Sequence, residues 1–163
     1  MLKQYFMKFE KGLNKFGVFL SSLFVIALVA LILLEIFLRT FFNKSTMISD
    51  EYSGYFYLAS VFFGLGYTFK EKAHIRINII TTRLNPKFQK IMNIYAGTVT
   101  FLVISFILYR VTLMTIDSYN FDILSEGVSA TPIYLTQIPM IIGTFIFAVS
   151  ILAFILKRIG HDS

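Results

Sequence analysis

The nineteen residues from Phe16 to Leu34 contain only two polar side chains, Ser21 and Ser22, and no charge. A helix needs ~20 mostly apolar residues to cross a hydrocarbon core of about 30 Å. The run exceeds the roughly 7–15 residues of a cleavable signal's apolar region, and no small-x-small cleavage site follows it, only Glu35-Ile36-Phe37-Leu38-Arg39. A retained first span over residues 16–38 is therefore expected. Three more apolar stretches lie at about 52–69, 88–114 and 133–156, the last with Pro139 in its first turns. All four are apolar on every side, which excludes amphipathic surface helices, and they are too long for core strands. The alternation typical of barrel strands is missing. A chain of 163 residues that is 56% hydrophobic and only 15% charged cannot bury so much apolar surface within itself. Disorder is excluded on the same ground. The lack of cysteine removes disulfide scaffolds, thiol enzymes and structural zinc sites. The fold class expected is an all-α integral membrane protein, a four-transmembrane-helix bundle forming a single membrane domain over residues 1–163.

The positions of the basic residues set the orientation. Lys3, Lys8, Lys11 and Lys15 precede the first span. Lys70, Lys72, Arg76, Arg83, Lys87 and Lys90 separate the second from the third, and Lys157 and Arg158 follow the fourth. These twelve face one side, against Arg39, Lys44 and Arg110 on the other. The asymmetry puts both termini and the middle loop in the cytoplasm. It also accounts for the net charge of +6 without nucleic acid as a partner. The third loop, with Asp117, Asp122 and Glu126, is expected to face outward.

Two segments outside the spans have patterns of their own. In the first fifteen residues Leu2, Tyr5 or Phe6, Phe9, Leu13 and Phe16 recur at helical spacing, with the lysines mostly off that stripe. This suits an N-terminal interfacial amphipathic segment against the lipid surface, and equally a plain basic topology signal. In the middle loop Ile75, Ile79 and Ile80 share a helical face before Asn85-Pro86, which reads as N-cap and first helical residue. A short cytoplasmic surface helix is expected there, the simpler reading being a basic connector.

The candidate functional residues are few. Glu35 and Arg39 lie four apart and can pair on one helix face. A lone Glu35 would suggest a proton or substrate site, whereas a paired one suggests a structural or subunit contact. Asp50 and Glu51 precede the second span, where a helix N-terminus favours carboxylates; docking of an extracytoplasmic partner is the functional alternative. Ser60 and Gly64 have small-xxx-small spacing, followed by Gly66, and allow two backbones to approach within this chain or with another. His74 stands alone in the middle loop and suits a polar or headgroup contact, because metal sites usually need several ligands. No histidine lies within a span to ligate haem. No catalytic constellation is present and no cofactor is expected.

In order and spacing, these features resemble the small permease subunit of the tripartite ATP-independent periplasmic (TRAP) transporters, the DctQ-like family. The resemblance rests on Glu35-x-x-x-Arg39 at the end of span one and Asp50-Glu51 before span two. It continues through Phe63-Gly64-Leu65-Gly66-Tyr67 and then Lys70-Glu71-Lys72-Ala73-His74-Ile75-Arg76-Ile77-Asn78. Pro132-Ile133-Tyr134 and Pro139-x-x-x-Gly143 complete it. Asn78 stands where the family commonly has Asp, and Tyr134 where Trp is frequent. The resemblance implies a subunit of the bacterial inner membrane that transports nothing by itself. It implies a large multispanning permease subunit that carries substrate and sodium sites, and a periplasmic substrate-binding protein that captures the solute, often an organic acid. The small subunit would scaffold the former and help dock the latter, with phospholipid around it. Glu35, Arg39, Asp50, Glu51, Ser60, Gly64, Gly66, His74, Arg76, Pro132, Pro139 and Gly143 are its candidate contact or structural residues. Two other readings are a self-sufficient small transporter acting as a homodimer, which would need Glu35 as its ion site, and a membrane enzyme or redox subunit.

Overall fold

The computed structural model describes residues 2–72 and 85–159. They form four helices: α1 (Leu2–Phe42), α2 (Ser49–Lys72), α3 (Pro86–Asn120) and α4 (Ile133–Ile159). Among the described residues the one strand-like feature is an antiparallel bridge between Leu124 and Pro132. The apolar runs seed the helices, but each helix other than α4 extends past its run at both ends, because backbone hydrogen bonding continues where hydropathy stops.

Three helices are long and apolar enough to cross a membrane: Tyr5–Phe42, Phe88–Asn120 and Ile133–Ile159. The fourth expected span, α2, does not join them. Its 24 residues would reach about 36 Å, but serines, glycines, tyrosines and charged ends lower its hydropathy. The N-terminal segment is not a separate element, since α1 runs unbroken through 41 residues. Its inward face there is polar, with Glu10 and Asn14 buried, while Tyr5, Phe9 and Phe16 are exposed. The surface helix expected in the middle loop, with His74 and Arg76, lies outside the described residues.

The two described chain reversals each have a local cause. Asn43 turns into the left-handed region at φ 50°, and the Lys44 N–H donates to the Leu38 carbonyl at 3.3 Å, ending α1. Asn85 caps α3 ahead of Pro86, as its sequence position suggests, but its side chain makes no capping bond. At the far end of α3, Asp122 is left-handed at φ 48°. The Asp122 N–H then bonds the Tyr119 carbonyl and the Ile123 N–H bonds the Ser118 carbonyl, a Schellman closure.

Helix α4 is the hub. It packs on α1, α2 and α3, whereas α3 packs extensively on α4 alone. Where α1, α2 and α4 meet, Ala59, Phe63 and Ile146 form a buried cluster flanked by Leu13, Leu20 and Phe24. The Phe24 and Phe63 rings stack at 5.8 Å. Small residues let the backbones approach. A Cβ on Gly143 would run into the Phe62 carbonyl and lie 2.8 Å from its Cβ, and one on Gly66 would lie 2.6 Å from Asn14 Oδ1. Gly64 is looser, its nearest neighbour being Ser21 Oγ at 3.3 Å.

Gly143→Ala is therefore expected to destabilise the bundle by ~1–3 kcal/mol, the usual cost of overpacking, and Gly64→Ala by less. Thermal unfolding of both variants in one detergent checks this, and a Gly143→Ala variant as stable as the parent would contradict the close crossing.

Candidate functional site

The polar side chains gather at the two ends of the bundle. One end holds the α1–α2 and α3–α4 connections. The other holds the start of α1 and the ends of α2 and α4, so that both termini of the described bundle lie together.

At the connection end, Glu35 is buried near the end of α1 and its carboxylate is fully engaged. Oε1 accepts from Arg39 Nε at 2.6 Å and from Ser45 Oγ at 2.6 Å. Oε2 accepts from the Thr46 N–H at 3.0 Å and from Thr46 Oγ1 at 2.5 Å. The pairing with Arg39 follows from the i,i+4 spacing. The Ser45 and Thr46 donors come from the loop, so the same carboxylate also folds residues 43–48 back onto α1.

Glu51 makes a second clamp, over a longer range. Asp50 and Glu51 occupy the first turn of α2, where the helix dipole favours them. Asp50 is exposed. Glu51 instead accepts hydrogen bonds from Ser125 and, at 2.7 Å, from Ser129, both in the α3–α4 loop, and from Tyr55 at 2.7 Å. Thr131 shares the cluster through Ser129 at 2.6 Å and Tyr52 at 3.1 Å. The Ser125 hydroxyl first, then Ser129 and Tyr55, hold the Glu51 carboxyl down from its ordinary 4.5 to about 2. Pro132 takes part in the bridge of the same loop, and Tyr134 meets Tyr119 edge-on at 5.2 Å.

The remaining candidates lie along the helix crossings. Ser60 is buried, donates to the Tyr57 carbonyl at 2.7 Å, and its own carbonyl accepts from Ser21 Oγ at 2.8 Å. Gly64 and Gly66 face α1 and α4, and Gly143 lies under Phe62. Pro139 sits inside α4. Among the described residues the candidates thus divide between two clamps and the helix crossings and do not form one site.

At the opposite end is a group that the sequence reading passed over. Buried Asn14 donates from Nδ2 to Glu10 Oε1 at 2.7 Å and to Ser150 Oγ at 2.9 Å. Lys70 Nζ reaches the two Glu10 carboxylate oxygens at 3.3 and 3.4 Å. The available signal was Glu10 and Asn14, one turn apart amid lysines and off the apolar stripe. A cavity of about 550 Å³ lies between α3 and α4, lined by Arg110, Asp117, Ser118 and Gln137. The buried Gln137 amide and Thr144 hydroxyl have no protein partner among the described residues.

Residues 28–161 match the family model described as the DctQ component of tripartite ATP-independent periplasmic transporters. The chain is also 28% identical over 140 residues to a Haemophilus influenzae protein named as a TRAP transporter small permease protein, covering 86% of this chain and 85% of that one. No solved structure matches the chain.

The depressed Glu51 pKa gives the second clamp a defined pH dependence. A carboxyl lowered on folding stabilises the native state above its unfolded pKa and loses that effect as pH falls through the folded one. The thermal stability of the parent over Glu51→Gln is expected to be complete above pH 4.5 and to vanish as pH drops toward about 2. Melting curves across that range test it, and a difference that does not change with pH would show that the charge of Glu51 does not hold the loop.

Proposed function

Because the chain belongs to the DctQ component family of tripartite ATP-independent periplasmic transporters, we propose that it scaffolds the large permease subunit and helps dock the periplasmic substrate-binding protein. The system it serves is a sodium-coupled uptake system for organic acids in the bacterial inner membrane. In this reading the whole chain is a single membrane domain, α2 crosses with the other three helices, and both termini face the cytoplasm. Twelve basic side chains against three support that orientation.

The observation that carries the scaffold reading is the state of Glu35. A transport site within a membrane needs an ionisable group free to exchange a proton or an ion. The four donors on Glu35 all come from its own chain, and they commit it to structure. This counts against a self-sufficient homodimeric transporter, for which Glu35 is the candidate ion site. The broad apolar flank of α3 supports a partner role. Tyr95, Leu102, Phe106 and Tyr109 are exposed there, and only α4 covers the helix extensively. The connection end, where Glu51 fixes the outward loops, is the surface proposed for the periplasmic protein.

In proteoliposomes under an inward sodium gradient, the chain alone is expected to take up none of a panel of radiolabelled carboxylates. Uptake is expected once the large permease and the loaded periplasmic protein are added. Uptake by the chain alone would overturn the reading.

A further inference from the structure

At the end of the bundle that holds the start of α1, a cavity of about 410 Å³ lies between α1, α2 and α4. Four cations line it: Lys11, Lys70, Lys157 and Arg158. Among the described side chains the single acid in its wall is Glu10, which is buried and already held by Asn14 and Lys70. Among the described side chains, four positive charges stand against one negative in the cavity wall. Lys11, Lys157 and Arg158 have no carboxylate partner among the described side chains, which do not include that of Glu71. Arg158 lies 5.6 Å over the Phe154 ring, a stacking that orients its guanidinium. Phe69 packs edge-on against Phe154 at 5.8 Å and gives the same cavity an apolar wall.

This arrangement differs from a solvated basic face in three ways. The cations come from three separate helices and converge on one concave space. The Glu10–Asn14–Ser150 bonds tie the start of α1 to α4 and fix the cavity's back wall. The aromatic wall leaves room for an apolar stem beside the charge. An anion with several acceptor oxygens answers the converging cations, and an attached apolar chain answers the rings. From the cavity alone, independently of the transport reading, we infer that it is a binding site for a phosphate group, the phosphodiester of an anionic lipid headgroup or free phosphate. Basic pockets between membrane helices are suited to such headgroups.

The test is native mass spectrometry of the full chain in mild detergent, with phosphatidylglycerol or phosphatidylcholine of identical acyl chains added. The parent is expected to retain phosphatidylglycerol in preference. The Lys157→Gln, Arg158→Gln double variant is expected to bind it roughly thirty-fold more weakly, from the typical contribution of two basic residues near an anionic surface. Lys11→Gln, an exposed single change, keeps the test open if the double variant does not fold, and is expected to weaken retention about five-fold. Lys44→Gln, at the opposite end, is expected to leave retention unchanged. Inorganic phosphate that displaces the lipid would support a site that also takes the free ion, and failure to displace it would support the lipid-borne headgroup. Equal retention of the two lipids, or undiminished phosphatidylglycerol binding in a folded double or Lys11→Gln variant, would overturn the proposal.

Discussion

A Cβ on Gly143 would clash with the Phe62 carbonyl, so α4 and α2 cross backbone against backbone. Water supplies little drive for helix association within lipid, and close van der Waals packing takes its place. That crossing makes α4 central. It puts Ile146 in one buried cluster with Phe63 and Ala59, brings Ser150 to Asn14, and leaves another side of α4 for α3. Gly66, facing Asn14 and Ser150, extends the same close contact toward the basic end. A larger side chain at either glycine separates two helices whose polar ends depend on their spacing.

Three carboxylates then follow one rule: withdrawn from water, each needs partners. Glu35 finds four donors within eleven residues of chain. Glu51 draws its donors from Tyr55, one turn along its helix, and from a loop more than seventy residues away. Glu10 finds Asn14 and Lys70. In each case a carboxylate that suggests ion chemistry in isolation is used to join elements. Such commitment suits the proposed scaffold role, and the apolar flank of α3 is the surface with the least internal cover.

Much of this architecture was legible in the sequence, for a physical reason. Apolar runs long enough to cross a bilayer can do little but form helices, so α1, α3 and α4 could be read from hydropathy alone. Helix α2 was read as a span from its apolar run over 52–69, and the serines and glycines that lower its hydropathy serve packing against α1 and α4. At the start of α1, Tyr5, Phe9 and Phe16 of the apolar stripe are exposed and Leu13 flanks the core, while Glu10 and Asn14 turn inward to Lys70 and Ser150, a pairing with other helices that no local periodicity signals. The Glu35–Arg39 pair was legible from i,i+4 spacing. The serines that hold Glu51 were not, since nothing local links Ser125 or Ser129 to a residue on another helix.

The family match makes the chain one component of a tripartite transporter, and the proposed scaffold role requires a larger membrane partner. The most direct test is purification of the tagged chain from its native host in mild detergent, with mass spectrometry of the proteins that accompany it. A large multispanning permease in stoichiometric amount is the predicted result. Recovery of this chain alone as a stable homo-oligomer would contradict the account.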